Sequence, residues 1–324
     1  MTLIGSEQTT SSLVVMIVGV KMRRKAIFVI CPLFTVLAIG VILYPLIANY
    51  LSEKNRSLIE TQYTEAIKQM DTSALDAARA AASVYNETLL TVPDKPFTKD
   101  ALIKASESYD TLLNVREDGI MGYVEVPTIS VNLPIYHGTE ESALDRGVGH
   151  LLGSSLPVGG TGTHCVLTGH SGLAGQKMFS DLNLLKEGDI FFLRVLGQTL
   201  AYKVVEIYTV LPEDTGKLTI DAGRDLCTLV TCTPYGVNSH RLLLRGERTE
   251  YEEAVSVIED AEFTPVEEST WGDEYRHGLI CGGLTVAGIG ACYGGYRAVM
   301  HARRPKRRRY AMRRERMRGK HEAH

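Results

Sequence analysis

Two long apolar segments, each next to a cluster of basic residues, confine the soluble folded part of this chain to the region between them. Residues 26–48 follow a basic cluster, and residues 278–300 precede the arginine-rich segment 301–324. An apolar stretch of about 20 residues can cross a bilayer as a helix, and its basic flank tends to stay in the cytoplasm. The sequence therefore predicts two transmembrane helices, with residues 1–25 and 301–324 cytoplasmic and residues 49–277 extracytoplasmic. A cleaved signal peptide is the alternative for 26–48, but the segment is longer than a usual signal core and lacks a clear small-x-small cleavage site.

The charge distribution supports this division. Residues 48–276 contain 19 Lys and Arg against 35 Asp and Glu, although the whole chain has a formal net charge of only -3. A domain of about 230 residues is large enough for one sizeable core, and its acidic surface argues against nucleic acid as a partner. The basic tail 301–324 is expected to adhere to anionic lipid, and nucleic-acid binding is the alternative for that tail alone.

Between the two apolar segments, the pattern changes from helical to β near residue 119. Residues 49–118 carry apolar side chains at helical spacing, with a break where Pro93 and Pro96 stop the pattern. Residues 119–249 contain many short strands separated by Gly and Pro, a pattern typical of a closed β-barrel. The acid-rich residues 250–277 are predicted to be a solvated connector. Strands are predicted at 123–127, 129–136, 163–168, 190–195, 198–208, 228–232 and 241–247.

One stretch of the β region carries the pattern of a reactive thiol. An apolar run ends on Cys232, a Pro-Tyr-Gly turn follows, and a second apolar run begins after Arg241. Strand, loop and strand in this order place the two residues on neighbouring strand ends. Because the thiolate is the reactive form and a nearby cation favours it, Cys232 is a candidate nucleophile. A small core cysteine is the alternative on this local pattern alone.

The other cysteines of the soluble region are Cys165 and Cys227. Three thiols cannot all pair, so at least one remains free, as a nucleophile must be. Cys165 lies within an apolar strand and Cys227 precedes the strand of Cys232, so both are expected to be core or structural residues. No pair has the spacing of a zinc site, and no acidic cluster has the spacing of calcium ligands, so neither a metal nor another cofactor is predicted.

A thiol nucleophile in acyl transfer also needs a proton donor for the leaving amine and a group that stabilises the oxyanion. His170 follows the predicted strand 163–168, and the neighbouring glycines leave its imidazole unobstructed. An ordinary surface-loop histidine is the alternative. Arg241 is the candidate for stabilising the oxyanion. Arg245 and Arg248 follow later in the same predicted strand, and the spacing of Arg241 from Cys232 favours Arg241.

Together these residues resemble the sortase family of cysteine transpeptidases, and in particular its class C, the pilin-polymerising sortases. The likeness covers about residues 85–248. The strings that carry it are Met121-Gly122-Tyr123, Leu133-Pro134-Ile135-Tyr136-His137-Gly138-Thr139, Gly147-Val148-Gly149-His150-Leu151, Gly153-Ser154-Ser155-Leu156-Pro157-Val158-Gly159-Gly160, Gly169-His170, Thr228-Leu229-Val230-Thr231-Cys232-Thr233-Pro234-Tyr235-Gly236 and Arg241.

The resemblance implies a mainly β fold: a sortase-type eight-stranded β-barrel with N-terminal helices and a lid, flanked by the two transmembrane helices. It implies that Cys232 attacks the Thr–Gly carbonyl of an LPXTG-like sorting signal and forms a thioacyl intermediate. His170 would protonate the departing amine and later accept a proton from the lysine amine of another pilin subunit. Arg241 would bind substrate carbonyls and the oxyanion. The implied partners are pilins or surface proteins with such signals and membrane lipid, with no cofactor and no nucleic acid.

Class C sortases also resemble one another in an N-terminal lid that carries an Asp-Pro-aromatic tripeptide. The corresponding segment here, about 91–98, reads Asp94-Lys95-Pro96-Phe97, with one lysine inserted. We expect Asp94 to pair with Arg241 and Phe97 to rest against the sulfur of Cys232. An ordinary proline-containing loop is the alternative.

Two other functions remain open at this point. A sortase that attaches proteins to a peptidoglycan precursor would share the thioacyl step and differ only in the acceptor amine. A non-catalytic envelope scaffold would use the barrel to bind partners.

Overall fold

Eight strands close into a barrel in the region where the sequence predicts β structure. The structure is a computed structural model that describes residues 7–90, 108–172, 176–260 and 270–302. The strands are β1 (Ile120–Val126), β2 (Val131–His137), β3 (Val148–His150), β4 (Thr163–Thr168), β5 (Ile190–Val195), β6 (Gln198–Val210), β7 (Asp225–Thr233) and β8 (His240–Thr249).

The strand order around the barrel is β1-β2-β3-β4-β7-β8-β6-β5, and β5 pairs back with β1. The pairs β2–β3 and β4–β7 are parallel, and the remaining pairs are antiparallel. A closed barrel leaves no unpaired edge strand, which removes a common site of aggregation. The predicted eight-stranded, mainly β barrel is confirmed.

Side chains alternate between the interior and the outer face of the barrel, as the two-residue period of a strand requires. Leu167, Leu229 and Leu244 are neighbours across β4, β7 and β8, and all three are fully buried in the main core. The adjacent residues in sequence therefore face outward. There a second cluster forms on the outer face, and it consists of Val166, Val230, Leu243 and Leu218.

The helices α1 (Glu7–Gln69) and α2 (Thr72–Leu90) lie before the barrel in the described part of the chain. The hydroxyl of Tyr63 in α1 donates to the carbonyl oxygen of Met121 in β1 at 2.9 Å. The side chain of Asn86 in α2 bonds both backbone groups of Leu156, accepting from its N–H at 2.7 Å and donating to its carbonyl oxygen at 3.2 Å. The helices predicted before the barrel are thus present and attached to it. The predicted lid, 91–98 with Asp94 and Phe97, lies outside the described residues.

Three further helices follow in the chain: α3 (Glu141–Leu144), α4 (Tyr251–Asp260) and α5 (Thr270–Ala302). The predicted solvated connector over 250–277 therefore begins with a helix. Ala254 of α4 is fully buried against the outer face of β5 and β6, beside Phe192 and Ala201. The acidic residues Glu252, Glu253 and Glu259 of this helix are exposed, whereas its apolar side packs on the barrel.

The chain divides into two compact units, one formed by residues 43–275 and the other by the parts of α1 and α5 beyond those limits. Within the described residues, Arg276–Met300 of α5 is a 25-residue stretch apolar enough to cross a membrane, with a mean hydropathy of 1.4. A second candidate combines Leu33–Val41 and Leu43–Gln69, two parts of α1 that bend by 41°. The predicted transmembrane helix 26–48 therefore stays a prediction. The other predicted transmembrane segment, 278–300, lies entirely within α5.

Candidate active site

Cys232 and Arg241 lie directly opposite each other on the antiparallel strands β7 and β8. Residues opposed in this way direct their side chains to the same face of the sheet, with Cβ atoms about 5 Å apart. The hairpin is connected by the turn at Pro234 to Asn238, in which the backbone N–H groups of Val237 and Asn238 both donate to the carbonyl oxygen of Pro234. The sequence predicts Cys232 and Arg241 on neighbouring strand ends, and the register of this hairpin sets them opposite each other.

His170 joins them from β4, which runs parallel to β7. The backbone N–H of Gly169 donates to the carbonyl oxygen of Val230 at 3.0 Å, so the ladder continues past the end of β4. The hydroxyl of Thr231 donates to the carbonyl oxygen of Gly169 at 2.8 Å, and that of Ser171 donates to the carbonyl oxygen of Cys232 at 2.7 Å. The residues on both sides of His170 are thus fastened to the strand that carries Cys232.

The three side chains share the outer face of the barrel. A Cβ at Gly169 would lie 2.7 Å from Cδ2 of Phe179 in the core, so this position faces inward and leaves no room for a side chain. His170, one residue later, therefore points outward. Thr231 is buried, and the alternation of β7 places Cys232 outward as well, together with its cross-strand neighbour Arg241.

All three side chains are partly exposed, as groups that meet a substrate must be. One guanidinium nitrogen of Arg241 donates to the carbonyl oxygens of Asn238 and His240 at 3.1 and 3.0 Å. In the part of the chain that the structure describes, no carboxylate lies within ion-pair distance of Arg241. Its remaining donors are therefore available to an anionic or carbonyl group placed beside Cys232.

The outer cluster beside these residues provides an apolar surface. Val230 precedes the site in β7, and Leu243 lies opposite it in β8. Leu218, from the segment between β6 and β7, packs on both. An extended peptide laid along this face would meet apolar side chains first and the thiol at the strand end.

His164 fastens the segment between β6 and β7 to the barrel. Its Nδ1–H donates to the carbonyl oxygen of Thr219 at 2.8 Å, and its Nε2 lies 2.7 Å from the hydroxyl oxygen of Thr228. Burial lowers the pKa of His164 to about 4, so the imidazole is neutral at physiological pH. The sequence analysis assigned His164 no function. The available signal was the two-residue period of β4, which directs His164 to the same outer face of the barrel as His170.

The competing cysteines are inaccessible. Cys165 and Cys227 are paired neighbours on β4 and β7, both in the interior and both free thiols. Burial raises the pKa of the Cys227 thiol well above its ordinary value, which keeps it protonated and unreactive. Their predicted place in the core agrees with the structure.

The competing arginines have other partners. Arg245 forms an ion pair with Glu206 and lies over the ring of Tyr208. Arg248 lies over the ring of Tyr202, with 5.8 Å from its guanidinium carbon to the ring centroid. Neither is placed opposite Cys232. Among the described residues, no three potential metal ligands cluster at this or any other place.

Ser171 and Thr231 were not identified from the sequence, although their hydroxyls hold the backbone around His170. The position of Thr231 directly before Cys232 was the available signal. The partner of each hydroxyl lies about 60 residues away in the chain, so only the folded barrel shows what they do.

Comparison with known proteins identifies the domain that carries these residues. A model of the sortase domain matches residues 124–249. Sortase C from Streptococcus pneumoniae is 43% identical, with a TM-score of 0.53, over 60% of this chain and 97% of that one. Sortase C from Clostridium perfringens is 42% identical, with a TM-score of 0.52, over 60% of this chain and 99% of that one. Sortase A from Bacillus anthracis is 25% identical over 227 residues, which is 70% of this chain and 96% of the relative.

The match with each of the two sortase C structures therefore covers nearly the whole length of that structure. The solved structures that the chain resembles include several class C sortases, and the chain belongs to the sortase family of cysteine transpeptidases.

Proposed function

We propose that this protein is a membrane-anchored class C transpeptidase that joins pilin subunits, with Cys232 as nucleophile, His170 as general acid and base, and Arg241 as the group that binds the oxyanion. The observation that carries the proposal is the strand register that sets Cys232 opposite Arg241, together with the hydrogen bonds that attach the backbone on both sides of His170 to the same strand. Cys232 and Arg241 lie on paired strands, and hydrogen bonds from the residues on both sides of His170 attach its backbone to β7.

In the first half of the reaction, the thiolate of Cys232 attacks the carbonyl carbon between Thr and Gly of an LPXTG-like signal. The negative charge that develops on the carbonyl oxygen is stabilised by donors of Arg241 that no described carboxylate occupies. His170 donates a proton to the glycine nitrogen as the C–N bond breaks. The products are a thioester on Cys232 and a free C-terminal fragment with a new amine.

In the second half, the ε-amine of a pilin lysine attacks the thioester carbonyl. His170, now neutral, accepts the proton that this amine loses, and the thiolate of Cys232 departs. The net result is an isopeptide bond between two subunits and an enzyme restored to its starting state. The same residue therefore serves as acid and then as base.

Two of the relatives support this choice of substrate. The S. pneumoniae structure is described as giving insight into pilin substrate specificity, and the C. perfringens structure contains a C-terminal cell wall sorting motif. Both are more than 40% identical to this chain, whereas the sortase A of B. anthracis is 25% identical. The likeness is thus greater to the class C enzymes than to that class A relative.

The proposed location is the outer face of a Gram-positive-type membrane. Spans at 26–48 and 278–300 would hold the catalytic region outside and leave the basic tail 301–324 on anionic lipid inside. The apolar stretch of α5 and the exposed apolar side chains of α1, such as Phe34 and Leu37, support this arrangement.

A lid over the site is part of the proposal. Asp94 would pair with Arg241, and Phe97 would cover the sulfur of Cys232. The support is the sequence Asp94-Lys95-Pro96-Phe97 together with the lack of a carboxylate partner for Arg241 among the described residues.

The proposal is tested by expressing the full chain with a pilin that bears an LPXTG signal, and by following the ladder of pilin polymers on denaturing gels. Cys232→Ala and His170→Ala should abolish the ladder. Cys281→Ala, which removes an exposed thiol of α5, is the matched control and should retain it.

The two competing functions are outcomes of the same experiment. A ladder that persists in Cys232→Ala would leave the scaffold function and eliminate the catalytic one. Cleaved pilin that is attached to the cell wall only as monomers would identify the anchoring reaction instead.

A further inference from the structure

Arg56 of α1 is a buried cation that forms no ion pair among the described residues, and the carboxylate that acts on it at longer range is that of Glu53 in the same helix. The side chain of Arg56 is only 8% exposed. One guanidinium nitrogen donates to the side-chain oxygen of Gln176 at 3.3 Å and lies 3.8 Å from the sulfur of Met178. Burying a charged group disfavours folding unless its donors are satisfied, so a guanidinium in this position depends on these contacts.

The residues that Arg56 contacts belong to the segment that supports His170. The backbone N–H of Phe179 donates to the carbonyl oxygen of His170 at 3.0 Å, and the hydroxyl of Ser180 accepts from the N–H of Gly172 at 3.1 Å. The ring of Phe179 also lies against Gly169. A shift of the segment 176–180 would therefore move the backbone of His170 directly.

Met178, in the middle of this segment, has a left-handed backbone conformation with φ of +42° and a side chain that is 1% exposed. A residue other than glycine holds such a conformation only when its surroundings enforce it. Arg56 is one of these surroundings because its guanidinium contacts the methionine sulfur. Removing the guanidinium would allow this part of the backbone to relax.

Further contacts fix the same segment between α1 and the barrel. The hydroxyl of Ser52, one helical turn before Arg56, donates to the same oxygen of Gln176 at 3.0 Å. Lys177 donates to the carbonyl oxygen of Ile129 and forms an ion pair with Asp181 at 3.0 Å. The segment is thus fixed from two sides, and Arg56 supplies the charged contact from the helix.

We propose that Arg56 is a positioning residue for the transfer reaction: through Gln176 and Met178 it holds the segment that sets the place of His170 relative to Cys232. The inference rests on the proposed role of His170. Its physical basis is that proton transfer depends on distances of about 3 Å, so a displacement near 1 Å can cost up to about 100-fold in rate.

The test uses the full chain in detergent micelles and a fluorogenic Leu-Pro-Glu-Thr-Gly peptide as the probe. Arg56→Ala should lower kcat about tenfold while KM stays within about twofold, because the peptide surface is untouched. The pH profile of kcat should also shift, because the substitution alters the surroundings of His170. Arg56→Lys, which keeps the charge, should recover part of the rate, and Gln176→Ala should lower kcat in the same direction.

Lys54→Ala is the matched control, since Lys54 is an exposed cation of the same helix. It should behave as the wild type. Alkylation of Cys232 by iodoacetamide at an unchanged rate in Arg56→Ala would show that the barrel and the thiol are intact. If Arg56→Ala does not fold, Gln176→Ala and Arg56→Lys carry the test.

Two results would overturn the inference. An unchanged kcat and pH profile in Arg56→Ala or Gln176→Ala, with His170→Ala inactive in the same assay, would refute the positioning role alone. Full activity of His170→Ala would refute the proposed role of His170, and the inference about Arg56 with it.

Discussion

At the scale of single residues, the proposed mechanism depends on the guanidinium of Arg241, which forms no ion pair with any described carboxylate. Arg241 lies opposite Cys232, and one of its guanidinium nitrogens donates to two carbonyl oxygens of its own hairpin. Its other donors form a planar fork, which binds a carbonyl or oxyanion in one orientation. A lysine has the same charge but cannot present two fixed donors.

Arg241→Lys should therefore lower kcat/KM for an LPXTG-type peptide by roughly 100-fold, the size expected when one oxyanion donor is lost. The alkylation rate of Cys232 should change much less, because the positive charge remains. Arg248→Lys is the control on the same strand and should be neutral. Wild-type kcat/KM in Arg241→Lys would exclude the assigned role.

At the scale of structural elements, His164 connects the segment between β6 and β7 to the outer face of β4 and β7. Its folded-state pKa of about 4 lies below the ordinary value of 6.5. Between these values the unfolded chain binds a proton that the folded chain does not, so the free energy of unfolding falls as pH falls through this window. The full difference corresponds to about 3 kcal/mol.

We expect the barrel of the wild type to lose about 2–3 kcal/mol more stability than His164→Gln between pH 7.5 and 4.5. Barrel unfolding can be followed by the loss of near-ultraviolet circular dichroism from the buried tyrosines of the barrel as urea is added. His240→Gln, at the start of β8, serves as the control. An equal pH dependence in wild type and His164→Gln would contradict the assignment.

The proposed lid is tested on the same scale. If Asp94 and Phe97 cover the thiol, Asp94→Ala and Phe97→Ala should each raise the rate of Cys232 alkylation several-fold, in line with the loss of a contact of about 1 kcal/mol. Asp100→Ala, beyond the tripeptide, should not. Alkylation and pilin polymerisation that are unchanged in both lid variants would make 91–98 an ordinary loop.

The elements differ in how far local pattern could predict them. β4 and β5 have the predicted bounds, because each is an apolar run between turn residues. β3 was missed: it has only three residues and is defined by its pairing with β2 and β4 rather than by alternation. The helix α4 was not predicted, because its many acidic residues indicated a solvated connector. Its apolar side packs on the barrel through Ala254.

The same distinction applies to the site. The hairpin that pairs Cys232 with Arg241 is local, so the sequence alone indicated it. The strand end and the neighbouring glycines made His170 a candidate, but its place beside Cys232 depends on the parallel pairing of β4 with β7, about 60 residues further along the chain, and that place was implied only by the family resemblance. The contacts of Arg56 with Gln176 and of His164 with Thr219 join residues far apart in the chain, so the sequence alone did not predict them.

At the scale of the whole molecule, the proposed topology places Cys232 outside the cell and the basic tail inside. The native thiols Cys281 and Cys292 lie within α5 and are free. A membrane-impermeant maleimide added to intact cells should label Cys232 but neither of these two. A cysteine at the end of the tail, His324→Cys in a Cys232→Ala background, should react only after permeabilisation. Its labelling in intact cells would refute the two-span topology.

The central claim, that Cys232 carries the acyl group, is tested most directly by intact-mass spectrometry of the full chain incubated with a Leu-Pro-Glu-Thr-Gly peptide. The mass should rise by that of the fragment ending in Thr, less one water, and the adduct should map to Cys232. A primary amine should discharge it, and Cys232→Ala should neither form it nor cleave the peptide. Peptide cleavage that persists in Cys232→Ala, with no adduct on the wild-type thiol, would contradict the account.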